Sequence, residues 1–253
     1  MPDDFQALEK ENRTLAKKLS RLETSIRDVE EMRDSTARLM TSLAKELDDE
    51  RARSHSLLLN ILPQPIIDRL GAGEQTIADR YDDVTVLFSD LVGFTSISSS
   101  LDATTLVTQL NAMFSQFDEL CARYEVEKIK TIGDAYLAVG GLPGTREDHT
   151  VAVAELATGM RDVIVDMGDP WRIRIGLHRG PAVAGVIGTH KFVYDVWGDT
   201  VNTASRLETS AKPNAIHVSR EVAERLGDRF EVRARGRIEL KGKGQVETYV
   251  LSG

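Results

Sequence analysis

Cysteine is nearly missing from this chain: Cys121 is the single one in 253 residues. An intrachain disulfide is therefore impossible, and the paired Cys/His spacings of structural zinc sites do not occur. Excess positive charge is missing as well. The formal net charge is −8, which excludes a broad electrostatic attraction to phosphate backbones and a general nucleic-acid-binding role. Long hydrophobic runs are also lacking. The most apolar stretch, residues 56–67, is interrupted by Pro63 and Pro65 and falls well short of the ~20 residues that span a bilayer. Met1 is followed by Pro-Asp-Asp and a charged stretch, not by the apolar segment of a secretory signal. These absences lead us to expect a cytoplasmic protein without a membrane span. Its hydrophobic fraction of 41% and its length suit one substantial core plus an accessory element.

The accessory element comes first. Phe5, Leu8, Asn12, Leu15, Leu19, Leu22, Ile26, Val29, Arg33, Thr36, Met40, Leu43 and Leu47 recur in alternating steps of three and four, the seam of a coiled coil. With Phe5 at position a, Asn12 also falls at a, where a buried Asn tends to fix the register of parallel two-stranded coils. A parallel homodimer is expected over residues 1–60. Pro63, Pro65, Gly71 and Gly73 then interrupt the helix, so residues 61–80 read as a linker and 81–253 as a globular domain. Within that domain, strands at 84–89, 126–131, 135–139, 171–177, near Ile216, at 230–235 and at 247–251 alternate with helices at 101–124, 148–165, after Trp197 and at 220–226. The order strand, helix, hairpin, helix, strand predicts a ferredoxin-like α+β sheet with its helices on one face.

Two acids stand out. Leu87-Phe-Ser-Asp90-Leu-Val-Gly-Phe94-Thr95 places Asp90 at the end of a buried strand, and its loop N–H groups could receive a phosphate. Ile132-Gly-Asp134-Ala-Tyr136 puts a second acid on a hairpin tip that lies beside the first strand in such a sheet. Two carboxylates facing one point suit Mg²⁺ or Mn²⁺. Either acid alone would be an ordinary strand-end or turn residue.

Three ordered segments, Phe88–Thr95, Glu127–Tyr136 and Tyr194–Arg206, resemble the class III nucleotidyl cyclases, the family of mammalian and many bacterial adenylyl and guanylyl cyclases. The resemblance spans about Tyr81 to the C-terminus. Leu58-Leu-Asn-Ile-Leu-Pro63 is similar to the transducing helix that precedes many such domains. The resemblance implies that Asp90 and Asp134 hold two metal ions per active site, and that Lys130 and Asp195 select the base. Lys130 can only donate hydrogen bonds and ionised Asp195 can only accept them, which complements adenine and opposes guanine. Asn202 and Arg206, four apart on one helix face, resemble the ribose-orienting Asn and the transition-state Arg. Phe94, Thr95, Arg174 and Lys241 resemble further substrate contacts, with Lys243 as the alternative to Lys241.

The expected protein is therefore an adenylyl cyclase that converts ATP to cyclic AMP and pyrophosphate at composite sites of a homodimer. No dedicated side-chain base stands out, and Cys121 and the histidines enter no nucleophile–base pattern. A guanylyl cyclase is the nearest alternative. A diguanylate cyclase or polymerase palm would share the metal pair, but the chain has no Gly-Gly-Asp/Glu-Glu-Phe run. A catalytically silent dimerisation or sensory module is the alternative from another class. The coil would then be the functional part, receiving its signal from an upstream sensor or a regulatory protein.

Overall fold

The computed structural model describes residues 2–144, 146–188 and 190–252, the side chains of 2–7 excepted. Phe5, the first seam residue, lies outside the described side chains. The chain divides into two units, residues 1–60 and 61–253.

The first unit is one helix, α1 (Pro2–Leu59). Between residues 3 and 59 there is neither Gly nor Pro, so nothing breaks the hydrogen-bond ladder. At 1.5 Å per residue it is roughly 87 Å long. Leu8, Leu15, Leu19, Leu22, Ile26, Val29, Met40, Leu43 and Leu47 are each at least half exposed, an apolar seam without cover in its own unit.

In the second unit the proline segment forms a further short helix. Pro63 is the N-cap of α2 (Gln64–Gly71), where a missing N–H costs nothing, and Leu62 and Ile66 are buried. There follow β1 (Ala78–Leu91), α3 (Phe94–Ser100), α4 (Ala103–Tyr124), β2 (Glu127–Ile132), β3 (Ala135–Gly140), α5 (His149–Met167) and β4 (Ile173–Ile187). The chain ends through β5 (Val193–Trp197), α6 (Asp199–Ser210), β6 (Ala215–Ser219), α7 (Arg220–Leu226), β7 (Glu231–Leu240) and β8 (Gly244–Ser252). Asp102, whose carboxylate accepts from the Thr104 and Thr105 N–H groups, starts α4, two residues later than the periodicity suggests.

The eight-stranded sheet runs β2-β3-β1-β4-β6-β8-β7, with β5 on β4. Its first four strands, read β4-β1-β3-β2, are the expected ferredoxin-like core. The helices do not keep to one face. Strand residues alternate between two cores: Leu87, Leu91, Tyr136 and Ala138 pack with α4, α5 and α7, whereas Val84, Val86, Leu137 and Val139 pack with α2, β5 and α6. The second layer is possible because residue 176 is glycine. A Cβ there would lie 2.2 Å from the Ala204 carbonyl oxygen and 2.3 Å from the Glu208 nitrogen, so only a bare backbone lets α6 rest on β4.

Candidate active site

The sheet register brings the two acids together. Ser89 pairs with Tyr136, so one step further along each strand Asp90 approaches the β2–β3 hairpin tip. Gly133, at φ 65°, supplies the left-handed turn that an L side chain disfavours. Tyr136 fixes the tip from below. It is fully buried, stands edge-on to Phe117 with ring centroids 5.6 Å apart, and donates to Asp118 Oδ1 at 2.6 Å. Burying such a ring stabilises by about 1.5–3 kcal/mol.

Burial and then hydrogen-bonding contact with Asp90 push the Asp134 carboxyl up to about 6. Two carboxyls that resist simultaneous ionisation are a donor set whose repulsion a divalent cation relieves, through hard oxygen ligands. The pair therefore fits such an ion. Among the described residues no third His, Cys, Asp or Glu completes a metal-holding cluster.

Arg174 stands directly across from Asp90 on β4. Its Nη2 donates to Asp90 Oδ2 at 2.8 Å, and its Nε lies 2.9 Å from Glu208 Oε1 on α6. The second contact is a close ion pair without the alignment of a hydrogen bond. Burial raises the Glu208 carboxyl and Arg174 draws it back down. The sequence places Arg174 among the expected phosphate contacts; in the structure its guanidinium lies against Asp90, beside the paired acids. Phe94 and Thr95 open α3 just beyond Asp90, with Phe94 half-buried and Thr95 exposed.

The base- and ribose-reading candidates gather elsewhere. Lys130 on β2 and Asp195 on β5 meet at 2.5 Å, and both line a cavity of about 510 Å³ together with Phe88, Ile132, Trp197 and Asn202. Neither Asp90 nor Asp134 lines it. Asn202 is exposed and Arg206 half-buried one turn further on, and neither side chain has a hydrogen-bonding or ionic partner among the described residues. The Arg206 guanidinium reaches the β7–β8 turn, with both terminal nitrogens 3.9 Å from where a Cβ on Gly242 would stand. In that turn Lys243 is ion-paired to Asp199. Lys241 is exposed and without a partner among the described residues, which favours it over Lys243 for contacting an anion. The apolar walls Phe88, Ile132 and Trp197, the Lys243–Asp199 pair and Glu208 were not singled out from sequence. Trp197 is the one that sequence spacing could have marked, since it stands two residues after Asp195 and shares its face of β5.

Residues 76–253 match the family model described as "Adenylate and Guanylate cyclase catalytic domain". An adenylate cyclase of Mycobacterium bovis is 47% identical over 212 residues, 82% of this chain and 48% of that protein. The guanylate cyclase soluble subunit beta-2 of Rattus norvegicus is 40% identical over 215 residues, 83% of this chain and 32% of that protein. Among solved structures, the catalytic core of a rhodopsin-guanylyl cyclase with converted specificity, in complex with ATPalphaS, superposes with a TM-score of 0.66 at 38% identity, covering 70% of this chain and 98% of that one. The chain thus spans about half the length or less of these curated relatives. Family match, sheet topology and paired acids agree, and the chain belongs to the class III nucleotidyl cyclases, the family of adenylate and guanylate cyclase catalytic domains.

Proposed function

We propose that this chain is an adenylyl cyclase that forms 3′,5′-cyclic AMP and pyrophosphate from ATP. The observation that carries the choice of base is the Lys130–Asp195 pair in the cavity wall. A donor-only and an acceptor-only side chain answer adenine N1 and the 6-amino group, and meet guanine with the wrong polarity at both positions.

Asp90 and Asp134 would hold two Mg²⁺ or Mn²⁺ ions, which supply Lewis acidity toward the 3′-hydroxyl and charge neutralisation along the triphosphate. In the reaction the 3′-oxygen forms a bond to the α-phosphorus, the hydroxyl proton is lost, and the bond from the α-phosphorus to the bridging oxygen breaks, releasing pyrophosphate. Asn202 orients the ribose. Arg206 stabilises the charge that develops on the α-phosphoryl oxygens, and Lys241 and Arg174 bind phosphate. Phe94 and Thr95 present their N–H groups beside Asp90.

The cavity that reads the base is lined by neither acid, so we assign a composite site. One chain gives Asp90 and Asp134, and a second copy gives Lys130, Asp195, Asn202 and Arg206. Residues 1–60 would form the parallel coil that brings the copies together and relays a signal from an upstream sensor or regulatory protein. Residues 61–80 would be the transducing linker and 81–253 the catalytic domain. Among the described residues no helix is long and apolar enough to cross a membrane, and the free, buried thiol of Cys121 suits a reducing cytoplasm.

The test is the initial rate of cyclic nucleotide formation from ATP and from GTP with Mn²⁺ or Mg²⁺. The proposal expects ATP to be preferred by about two decades or more. Equal or reversed preference would make the chain a guanylyl cyclase, and no product from either nucleotide would leave the silent module.

A further inference from the structure

Glu208 has no place in the reaction above, yet it is one of the most buried charged groups in the domain, at 4% exposure. It lies on the face of α6 turned toward the sheet, where Gly176 lets the helix approach β4. Its Oε1 is 2.9 Å from Arg174 Nε, and its Oε2 accepts from the Thr209 hydroxyl at 3.1 Å. The same guanidinium donates from Nη2 to Asp90 Oδ2 at 2.8 Å. One arginine is thus shared between an acid of the metal pair and an acid that the pair's ligand sphere does not include.

The charges can be counted. Asp90 and Asp134 together present −2 to a divalent ion. Arg174, in contact with Asp90, would lower that to −1 and compete for the carboxylate. A further carboxylate on the opposite side of Arg174 brings the group back to −2. A helix that needed only to pack here would be served equally well by a neutral side chain of the same shape, without the cost of burying an ionised carboxylate.

We infer that Glu208 is a positioning residue that offsets the charge of Arg174 and draws its guanidinium toward α6, so that Asp90 and Asp134 keep their affinity for a divalent cation. This rests on the reading of those two acids as the metal ligands.

The probe is Mn²⁺ alone, its binding to the full chain followed by loss of the electron paramagnetic resonance signal of free aqueous Mn²⁺ at constant pH. The expected order of affinity is Arg174→Gln tightest, the wild type and the double variant Arg174→Gln/Glu208→Gln similar, and Glu208→Gln weakest. A change of one charge near the ion should give on the order of tenfold between neighbouring ranks. Asp90→Asn distinguishes loss of a metal ligand from loss of the Glu208 charge. If Mn²⁺ binding is unchanged in Asp90→Asn, the metal-ligand reading itself fails. If binding is lost there while folded Glu208→Gln binds as tightly as the wild type, only the role given to Glu208 is overturned. A double variant as weak as Glu208→Gln would likewise reduce Glu208 to packing, because removing the Arg174 charge would have rescued nothing. Should Glu208→Gln fail to fold, as judged by thermal melting, the comparison of Arg174→Gln with the double variant decides. A tenfold weakening supports the inference and equal affinities overturn it.

Discussion

Lys130 Nζ and Asp195 Oδ2 lie 2.5 Å apart, joining the edge strand β2 to β5 across 65 residues of sequence. Each is the charge that the other is paired with, and Asp195 is mostly buried, its side chain 14% exposed. Exchanging one alone would strand the second charge without a partner, so the base preference has to be changed by exchanging both.

Lys130→Glu combined with Asp195→Cys reverses the hydrogen-bond polarity at the base edge. Charged hydrogen bonds contribute roughly 1.5–3 kcal/mol each, so the ratio of kcat/KM for ATP to that for GTP should fall by about two to four decades. A double variant that keeps the parent's ratio would show that these residues do not read the base.

Glu127 gives a pH prediction separate from turnover. Burial without an ionic partner pushes its carboxyl up to about 7 from the ordinary 4.5. The folded state therefore binds this proton more tightly than the unfolded state, and stability from this group is lost as pH rises from about 4.5 through about 7. Glu127→Gln should leave stability near its parent value at pH 4.5 and raise it by roughly 2–3 kcal/mol at pH 8. Denaturant unfolding at the two pH values checks this, and a benefit that does not grow with pH would contradict it.

The exposed seam of α1 gives the third prediction. Removing residues 1–50 should raise the protein concentration needed for half-maximal specific activity, because association loses an apolar strip that is at least half exposed along the helix. Sedimentation and activity over a dilution series measure it. Dimer retained at nanomolar concentration by the shortened chain would mean that the catalytic domains associate unaided.

Much of the candidate site was legible because its residues sit at points that local chemistry marks. Asp90 ends an apolar strand, Asp134 follows a turn glycine, and the helix at 220–226 coincides with α7. What escaped depends on tertiary placement. The strand expected to stop at Leu177 continues as β4 to Ile187, since Gly180-Pro181 reads as a terminator but lies opposite the register shift between Tyr81 and Val84, where a residue without an N–H is tolerated. The five-residue β5 has no counterpart among the expected strands because its Asp195 breaks an already short apolar run. Glu208 was illegible for a related reason: an acid two residues after Arg206 on an amphipathic helix reads as solvated, and only the approach permitted by Gly176 buries it.

If each active site draws on two chains, two inactive variants that damage different halves of it should complement one another. Asp90→Ala and Lys130→Ala homodimers should each be severely impaired. Mixed under subunit exchange, they form heterodimers with one doubly damaged site and one intact site, the latter taking Asp90 from the Lys130→Ala chain and Lys130 from the Asp90→Ala chain. Cyclic AMP formation should recover in proportion to the heterodimer fraction, toward half the wild-type rate per dimer. Isolated, verified heterodimers no more active than either parent, while wild-type dimers treated alongside remain active, would contradict the shared site and return every catalytic role to a single chain.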